Sequence, residues 1–268
     1  MSHEVVRTRK GILAMRCLEA GEVMHPGVGP LVEAEQLYVR QSRLGERLQR
    51  AEHETLTVFD IGMGAGSNAL AARAESERAP AAAARLELIS FERDLGALEL
   101  ALANPAAFAL EGEVSQAARA LLAHGAHETP RTCWRLRQGD LLEALQKEPS
   151  RADIAFWDPF SPRANPGLWT IAAFTAIRRV ANPGGTLFTY SASTATRIAL
   201  LLAGWAVGAG DPIGDKAATT AAAVAAADLA RPLDRRWLNR LSQPNVPLPA
   251  DAPPDFVTRV AALEQFRS

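Results

Sequence analysis

Val58-Phe-Asp-Ile-Gly-Met-Gly-Ala-Gly-Ser-Asn68 is a short apolar run that breaks into glycines at alternate positions and then into an alanine-rich helical segment. It reads as a strand ending in a nucleotide-binding turn. Glycine at 62, 64 and 66 lets the backbone take conformations closed to other residues, so a ligand can lie against the main chain. The spacing discriminates between cofactors. A dinucleotide fingerprint, G-x-G-x-x-G, wants glycine at 67, where this chain has Ser67, whereas Asp60 before G-x-G-x-G suits S-adenosylmethionine. On this reading Asp60 ends the strand and pairs with the methionine ammonium, Gly62, Gly64 and Gly66 make room for the rest of the cofactor, and Asn68 closes the motif.

Outward from the glycines the chain alternates as α/β proteins do. Strands are expected at 56–61, 86–91, 132–138, 153–158 and 185–190, with helices at 67–78, 94–103, 140–147, 168–180 and 194–203 between and after them. Parallel strands need crossover connections and helices supply them, so the pattern predicts an α/β, doubly wound, mostly parallel sheet. Residues 51–230 form this domain. Residues 1–50 read as an N-terminal extension: short alternating apolar positions (Val5, Val6, Ile12, Leu13), a Gly/Pro-rich loop from Gly21 to Pro30, and an amphipathic helix over Glu33–Arg50. Asn104–Pro130 is longer than a βα connection needs and predicts an extra helix at Val114–Ala123, capping the cofactor side. Residues 231–268 are a Pro-rich tail, expected to be an extended arm with short helices at Asp234–Leu241 and Asp255–Phe266.

Composition bounds the function. With 268 residues, 48% hydrophobic and 22% charged, the chain can bury a sizeable core. A formal net charge of -1 argues against a broad polyanion-binding surface but permits a local basic patch. Cys17 and Cys133, the only cysteines, give neither a zinc spacing nor a disulfide framework, so no metal is expected and a reducing cytoplasm is the simplest location. No stretch reads as a signal peptide or a membrane span.

In an open α/β sheet ligands bind beyond the carboxyl ends of the strands. Acidic residues stand at four of these ends: Asp60, Glu92, Asp140 and Asp158. Glu92 can accept hydrogen bonds from both ribose hydroxyls and Asp140 one from the adenine amino group, although Asp140 also suits a helix N-cap. After the fourth strand comes Asp158-Pro-Phe-Ser-Pro-Arg-Ala-Asn-Pro-Gly-Leu-Trp169, whose prolines make a rigid wall.

This last stretch resembles the Asp-Gly-Phe-Ala-Pro-x-x-Asn-Pro-x-x-Trp signature of the MnmC-type tRNA methyltransferases. The resemblance runs from about Gly21 to Thr220. Gly21-Glu22, Met24-His25 and Glu33 are similar to the family's Gly-Glu-x-x-His and following glutamate, Asp60–Asn68 to its Glu-Ile-Gly-Phe-Gly-Thr-Gly-Leu-Asn, Ile89-Ser-Phe-Glu92 to its ribose-binding strand end, and Asn182-Pro-Gly-Gly-Thr186 to its Arg-Pro-Gly-Gly-Thr turn. Pro159 stands where the family has glycine, and a basic Gly-x-Lys-Arg-Glu turn is reduced to Gly214-Asp215-Lys216. The resemblance implies a class I, Rossmann-like methyltransferase fold, S-adenosylmethionine as cofactor, catalysis by Asp158, and the aminomethyl group of wobble uridine in tRNA as acceptor. Glu22, His25, Phe160, Asn165 and Trp169 are the expected substrate-pocket residues. The chain is expected to act as a stand-alone methyltransferase, without the flavin-dependent oxidoreductase domain fused to it in some members.

Two other readings stay open. A methyltransferase or aminopropyltransferase-like enzyme acting on a small amine would reuse the same acidic strand ends and needs no basic surface; a non-catalytic cofactor-binding protein would need only the glycine loop. If tRNA is bound, phosphate contacts are expected from Arg163, Lys216, Arg231, Arg235, Arg236 and Arg240.

Overall fold

The computed structural model describes residues 2–8, 11–24, 29–50, 53–214 and 216–267. A small antiparallel sheet comes first, with strands β1 (His3–Arg7), β2 (Leu13–Cys17) and β3 (Glu22–Val23). The main sheet contains β4 (Thr55–Ile61), β5 (Arg85–Glu92), β6 (Ala126–Glu128), β7 (Thr132–Gln138), β8 (Ala152–Trp157), β9 (Ala181–Thr189), β10 (Ala206–Gly210) and β11 (Thr219–Ala223). Its order is β10-β11-β9-β8-β4-β5-β7-β6. Strands β4, β5, β7, β8 and β9 pair in parallel, and β11 and β6 run antiparallel to their neighbours. The chain leaves β4 for β5 on one side and later returns to β8 on the other. That reversal opens a crevice at the carboxyl end of β4, where open α/β sheets bind their ligands.

Side chains alternate across the sheet, and both faces are covered. Leu56 and Val58 of β4, Leu86 and Leu88 of β5, and Ile154 and Phe156 of β8 pack into one core; Phe59, Ile61, Ile89, Phe91, Ala155 and Trp157 pack into the other. The first core is closed by helices Leu44–Arg50, Ser67–Arg78, Gly96–Ala103 and Gly112–His124, the second by Leu141–Lys147, Ile171–Arg179 and Thr194–Leu202. This is the doubly wound, mostly parallel α/β arrangement that the alternation predicts. Among the described residues no helix is long and apolar enough to cross a membrane.

Several elements differ from expectation. The segment over Glu33–Arg50 is not one helix: a turn at Pro30–Glu33 runs into a π-helical stretch at Ala34–Arg40, and Arg43 takes a left-handed φ of 56° before helix Leu44–Arg50. Helix Gly112–His124 does not cap the cleft. Its buried Ala117, Ala118 and Leu121 face the first core, and it packs on β6, β7 and helix Gly96–Ala103 at the sheet edge. The tail is not an extended arm either. Leu233, Trp237, Leu241, Val260 and Phe266 are buried in the second core, because their apolar side chains are spaced to reach it between the proline turns.

Candidate active site

A cleft of about 900 Å³ opens beyond the carboxyl ends of β4, β5, β7 and β8. The glycine turn forms its floor, and the segment from Cys17 to Met24 with the small N-terminal sheet forms a wall facing it. Gly62 and Gly64 line the cleft with φ of 78° and 54°. A Cβ on Gly62 would stand 2.8 Å from the Asp158 carbonyl oxygen and 2.9 Å from Pro159 Cα, so glycine here lets two main chains touch. A Cβ on Gly64 would meet only Met24, at 3.6 Å, on the open side. Gly66 does not line the cleft. Its φ of 85° starts helix Ser67–Arg78, and a Cβ there would point at Leu98 and Leu70 in the core.

The acidic strand ends divide in two. Asp60 lies below the cleft wall, wholly buried, because β4 turns this position toward the first core in register with Ser90. Ser90 Oγ donates to Asp60 Oδ2 at 2.7 Å and itself accepts from Trp134 Nε1 at 2.9 Å, while Asp60 Oδ1 has no partner. Burial, opposed by the Ser90 hydrogen bond and aided by the charges of Asp158 and Glu92, pushes the Asp60 carboxyl up to about 7. Direct contact of Asp60 with a ligand ammonium is therefore not what the geometry provides. Glu92 does line the cleft: Oε2 accepts from Gly64 N at 2.9 Å, and Oε1 from the amides of Arg93 and Asp94 at 2.8 and 3.0 Å. Asp140 also lines it, with Oδ1 capping helix Leu141–Lys147 through the amides of Leu142 and Glu143 at 2.9 and 3.1 Å.

Asp158, directly after β8, is half-buried on the cleft wall. Asn68 Nδ2 donates to its Oδ2 at 2.7 Å, so Asn68, buried and not lining the cleft itself, holds the Asp158 carboxylate in place. Tyr38, on the π-helical stretch and fully buried, brings its hydroxyl to the same carboxylate. Tyr190, just past β9, donates to the Pro159 carbonyl at 3.0 Å, and Lys216 Nζ sits 4.5 Å from its ring centroid and 4.0 Å from Glu33 Oε1. Burial first, and then the charges of Asp158 and Glu33, hold both phenols above their usual range. They stay neutral donors at neutral pH.

The loop after Asp158 is anchored from across the cleft. Glu22 accepts from the Ser161 amide at 3.1 Å, from the Ser161 hydroxyl, and from Arg163 Nη2 at 3.2 Å. Its burial alone would raise the carboxyl, but these hydrogen bonds outweigh it and hold Glu22 below the usual carboxylate range. Phe160 and Asn165 line the cleft. Trp169 does not: it stands behind the loop, Nε1 donating to the Phe160 carbonyl at 2.8 Å, with its ring edge-on to Tyr190 at 5.6 Å. A bulky ring on the inner side of a 3₁₀ turn reaches the core before it reaches the cleft, and there it props the wall. His25 lies outside the described residues. Tyr38 and Tyr190 were missed, although Tyr190 follows the fifth parallel strand and a survey of all polar residues at strand ends would have found it. Among the described residues no His/Cys/Asp/Glu group is arranged to hold a metal ion.

The chemistry of these residues fits S-adenosylmethionine. The charges of Asp158 and Glu92 lie close enough to Asp60 to disfavour its ionisation, and a ligand carrying sulfonium and ammonium charges relieves that repulsion. The open side of Gly64 and the uncovered face of the Glu92 strand end are where a nucleoside can approach main chain.

Comparison with known proteins agrees. A family described as S-adenosyl-L-methionine-dependent methyltransferase matches residues 114–225. The tRNA 5-methylaminomethyl-2-thiouridine biosynthesis bifunctional protein MnmC of Burkholderia thailandensis is 32% identical over 196 residues, 69% of this chain and 30% of that protein. Its counterpart in Paraburkholderia xenovorans is 31% identical over 244 residues, 86% of this chain and 35% of that protein. The chain thus spans about a third of the length of these curated relatives. The crystal structure of MNMC2 from Aquifex aeolicus superposes with a TM-score of 0.73 at 25% identity, covering 97% of this chain and 86% of that one. Fold, glycine turn and these similarities together establish that the chain is an S-adenosyl-L-methionine-dependent methyltransferase homologous to the MnmC proteins.

Proposed function

We propose that this enzyme methylates the primary amine of an aminomethyl group on the wobble uridine of tRNA. The observation that carries the reading is the set of carboxylates at the acceptor end. Asp158 is held by Asn68 at 2.7 Å, and Glu22 and Glu33 line the same mouth beside two neutral phenols. An alkylamine is mostly protonated at neutral pH, with a pKa of about 10 by analogy with lysine. The carboxylates attract that ammonium, and the reaction then needs its lone pair free. Bound S-adenosylmethionine supplies a methyl group on a positive sulfur, so the new N–C bond forms as the C–S bond breaks and a neutral thioether leaves. Asp158 orients the ammonium first and takes its proton second, while Tyr38 and Asn68 hold the carboxylate in place. Glu92, Gly62, Gly64 and Asp140 hold the cofactor, and the positive charge of the cofactor offsets the repulsion that the buried Asp60 carboxylate meets beneath it. Phe160 and Asn165 shape the acceptor pocket, with Trp169 bracing it. The relatives' stated role in tRNA 5-methylaminomethyl-2-thiouridine biosynthesis supplies the nucleoside, and with it a cytoplasmic setting.

The acidic mouth and the net charge of -1 favour a free small amine as the second reading. Methyl incorporation from labelled S-adenosylmethionine into tRNA bearing the aminomethyl precursor is expected, with little into a polyamine panel. Incorporation into a polyamine and none into that tRNA would give the function to the small-amine reading.

A further inference from the structure

Three arginine or lysine side chains line the cleft among the described residues: Arg93, Arg163 and Lys216. Arg93 directly follows Glu92 in the cofactor half, and Arg163 is taken up by its hydrogen bond to Glu22 at 3.2 Å. Lys216 is held differently. Its backbone is pinned beside the cleft by reciprocal hydrogen bonds with Ile213, the Lys216 amide donating at 2.9 Å and the Ile213 amide at 3.0 Å, across a turn in which Gly214 takes a φ of 53°. Its ammonium stands 4.5 Å from the Tyr190 ring centroid and 4.0 Å from Glu33 Oε1. The first is a cation–π contact, and the second is too long for a hydrogen bond. Among the described residues the ammonium therefore donates to no acceptor, although it carries three N–H groups and is exposed in the cleft.

The ring beneath Lys216 is fixed and joined to the reacting end. Tyr190 donates to the Pro159 carbonyl at 3.0 Å, and Trp169 meets its ring edge-on at 5.6 Å. Pro159 follows Asp158, so the Tyr190 ring spans from the backbone beside the acceptor carboxylate to the lysine ammonium. The buried Glu33 carboxylate draws the ammonium to this spot without occupying its donors. An aminomethyl group on C5 of a uracil ring has the O4 carbonyl on the neighbouring carbon, so the amine and a hydrogen-bond acceptor share one edge of the base. With the amine at Asp158, that oxygen needs a donor. The hydroxyls of Tyr38 and Tyr190 are engaged with Asp158 and Pro159, whereas Lys216 has donors to spare.

We propose that Lys216 donates to the pyrimidine carbonyl next to the aminomethyl group and so selects a uracil base. The proposal rests on the tRNA reading and names how the same site recognises its base. It bears on free amines too, because a polyamine brings a further ammonium toward Lys216 and like charges repel.

The test is methyl transfer by the wild type and Lys216→Met to two tRNAs that differ only in the wobble base, 5-aminomethyluridine or 5-aminomethylcytidine. The cytosine ring carries an amino group in place of O4, and a lysine ammonium cannot accept from it. The wild type is expected to prefer the uridine form by about 10–100-fold in kcat/KM, the range of a hydrogen bond to a charged group. Lys216→Met should lower the uridine rate by a similar factor and leave the cytidine rate unchanged or higher, so that the preference collapses. S-adenosylmethionine affinity by calorimetry, matching that of the wild type, checks the fold. Equal loss on both tRNAs would give Lys216 a structural or phosphate-contact role and overturn the assignment. A wild type indifferent to the base overturns it without any variant, and in both cases the tRNA reading stands. A wild type that binds the cofactor yet methylates neither tRNA overturns that reading and the assignment together.

Discussion

Asp60 carries a conflict created by its position: a carboxylate, wholly buried, with one oxygen unpartnered and two other carboxylates nearby. Its folded value of about 7 lies above the ordinary 3.8, so the unfolded chain ionises first as pH rises. The stability contribution is fully present below about pH 4 and is lost progressively as pH climbs to 7. At roughly 1.4 kcal/mol per unit, that loss is on the order of 4 kcal/mol. Asp60→Asn should remove it, so urea midpoints of wild type and variant are expected to diverge between pH 4 and 7.5, with the variant ahead at the upper end. Parallel pH profiles would mean that Asp60 ionises freely in the native state. Asp158 belongs to the same scale and acts differently. Asp158→Ala should leave cofactor affinity within a few-fold and lower turnover by about 10²–10⁴, the range of a lost acid–base group. Equal loss of both would move Asp158 into the cofactor half of the cleft. The strand-end position of each acid was legible in sequence, but whether a carboxylate faces the ligand or the core depends on the depth of the turn. Spacing gives no access to that depth.

At the scale of elements, the alternating apolar positions of β4, β5 and β8 made the parallel sheet legible, because both faces are buried and the period shows in each strand. Strands β10 and β11 carry Ala206-Val-Gly-Ala-Gly210 and Thr219-Thr-Ala-Ala-Ala223, and glycine and alanine give little strand signal. Tyr38 was hidden for another reason. In a regular helix its position is one of an apolar stripe, whereas the π-helical register turns it toward Asp158. The glycine turn allows a direct comparison of two substitutions. Gly62→Ala sets a methyl group 2.8 Å from a carbonyl oxygen, so main chain must move; Gly64→Ala meets only Met24 at 3.6 Å. Both also incur the left-handed penalty of about 1–2 kcal/mol. Gly62→Ala is therefore expected to melt well below Gly64→Ala, and thermal denaturation of the pair measures the difference. Equal melting temperatures would show that β4 and the acceptor loop can separate without cost. Gly64→Ala should retain the fold while weakening the cofactor, since its methyl group projects into the cleft.

At the scale of the whole molecule, the Pro-rich tail completes the second core. Trp237 and Phe266 stack at 6.3 Å between ring centroids, and both join the cluster that holds Ile177 and Ile198. Gln265 treats β10 as a neighbouring strand would. Its Oε1 accepts from Val207 N at 2.8 Å, and its Nε2 donates to the Val207 and Leu233 carbonyls at 2.7 and 2.9 Å, covering an edge left open by the sheet order. Asp251 accepts from the amides of Ile171 and Ala172 at 2.9 and 3.0 Å, capping the helix that backs β8 and the acceptor loop. Proline-rich composition concealed this, because it reports how the backbone bends and not where the intervening apolar side chains go. Five buried side chains at about 2 kcal/mol each amount to roughly 10 kcal/mol of gross burial, the size of a domain's whole net stability. A chain ended after Ala230 is accordingly expected to be insoluble or to lack a cooperative melt, with cofactor binding lost along with the fold. A truncated protein that melts within a few degrees of the full chain would make the tail a separable arm.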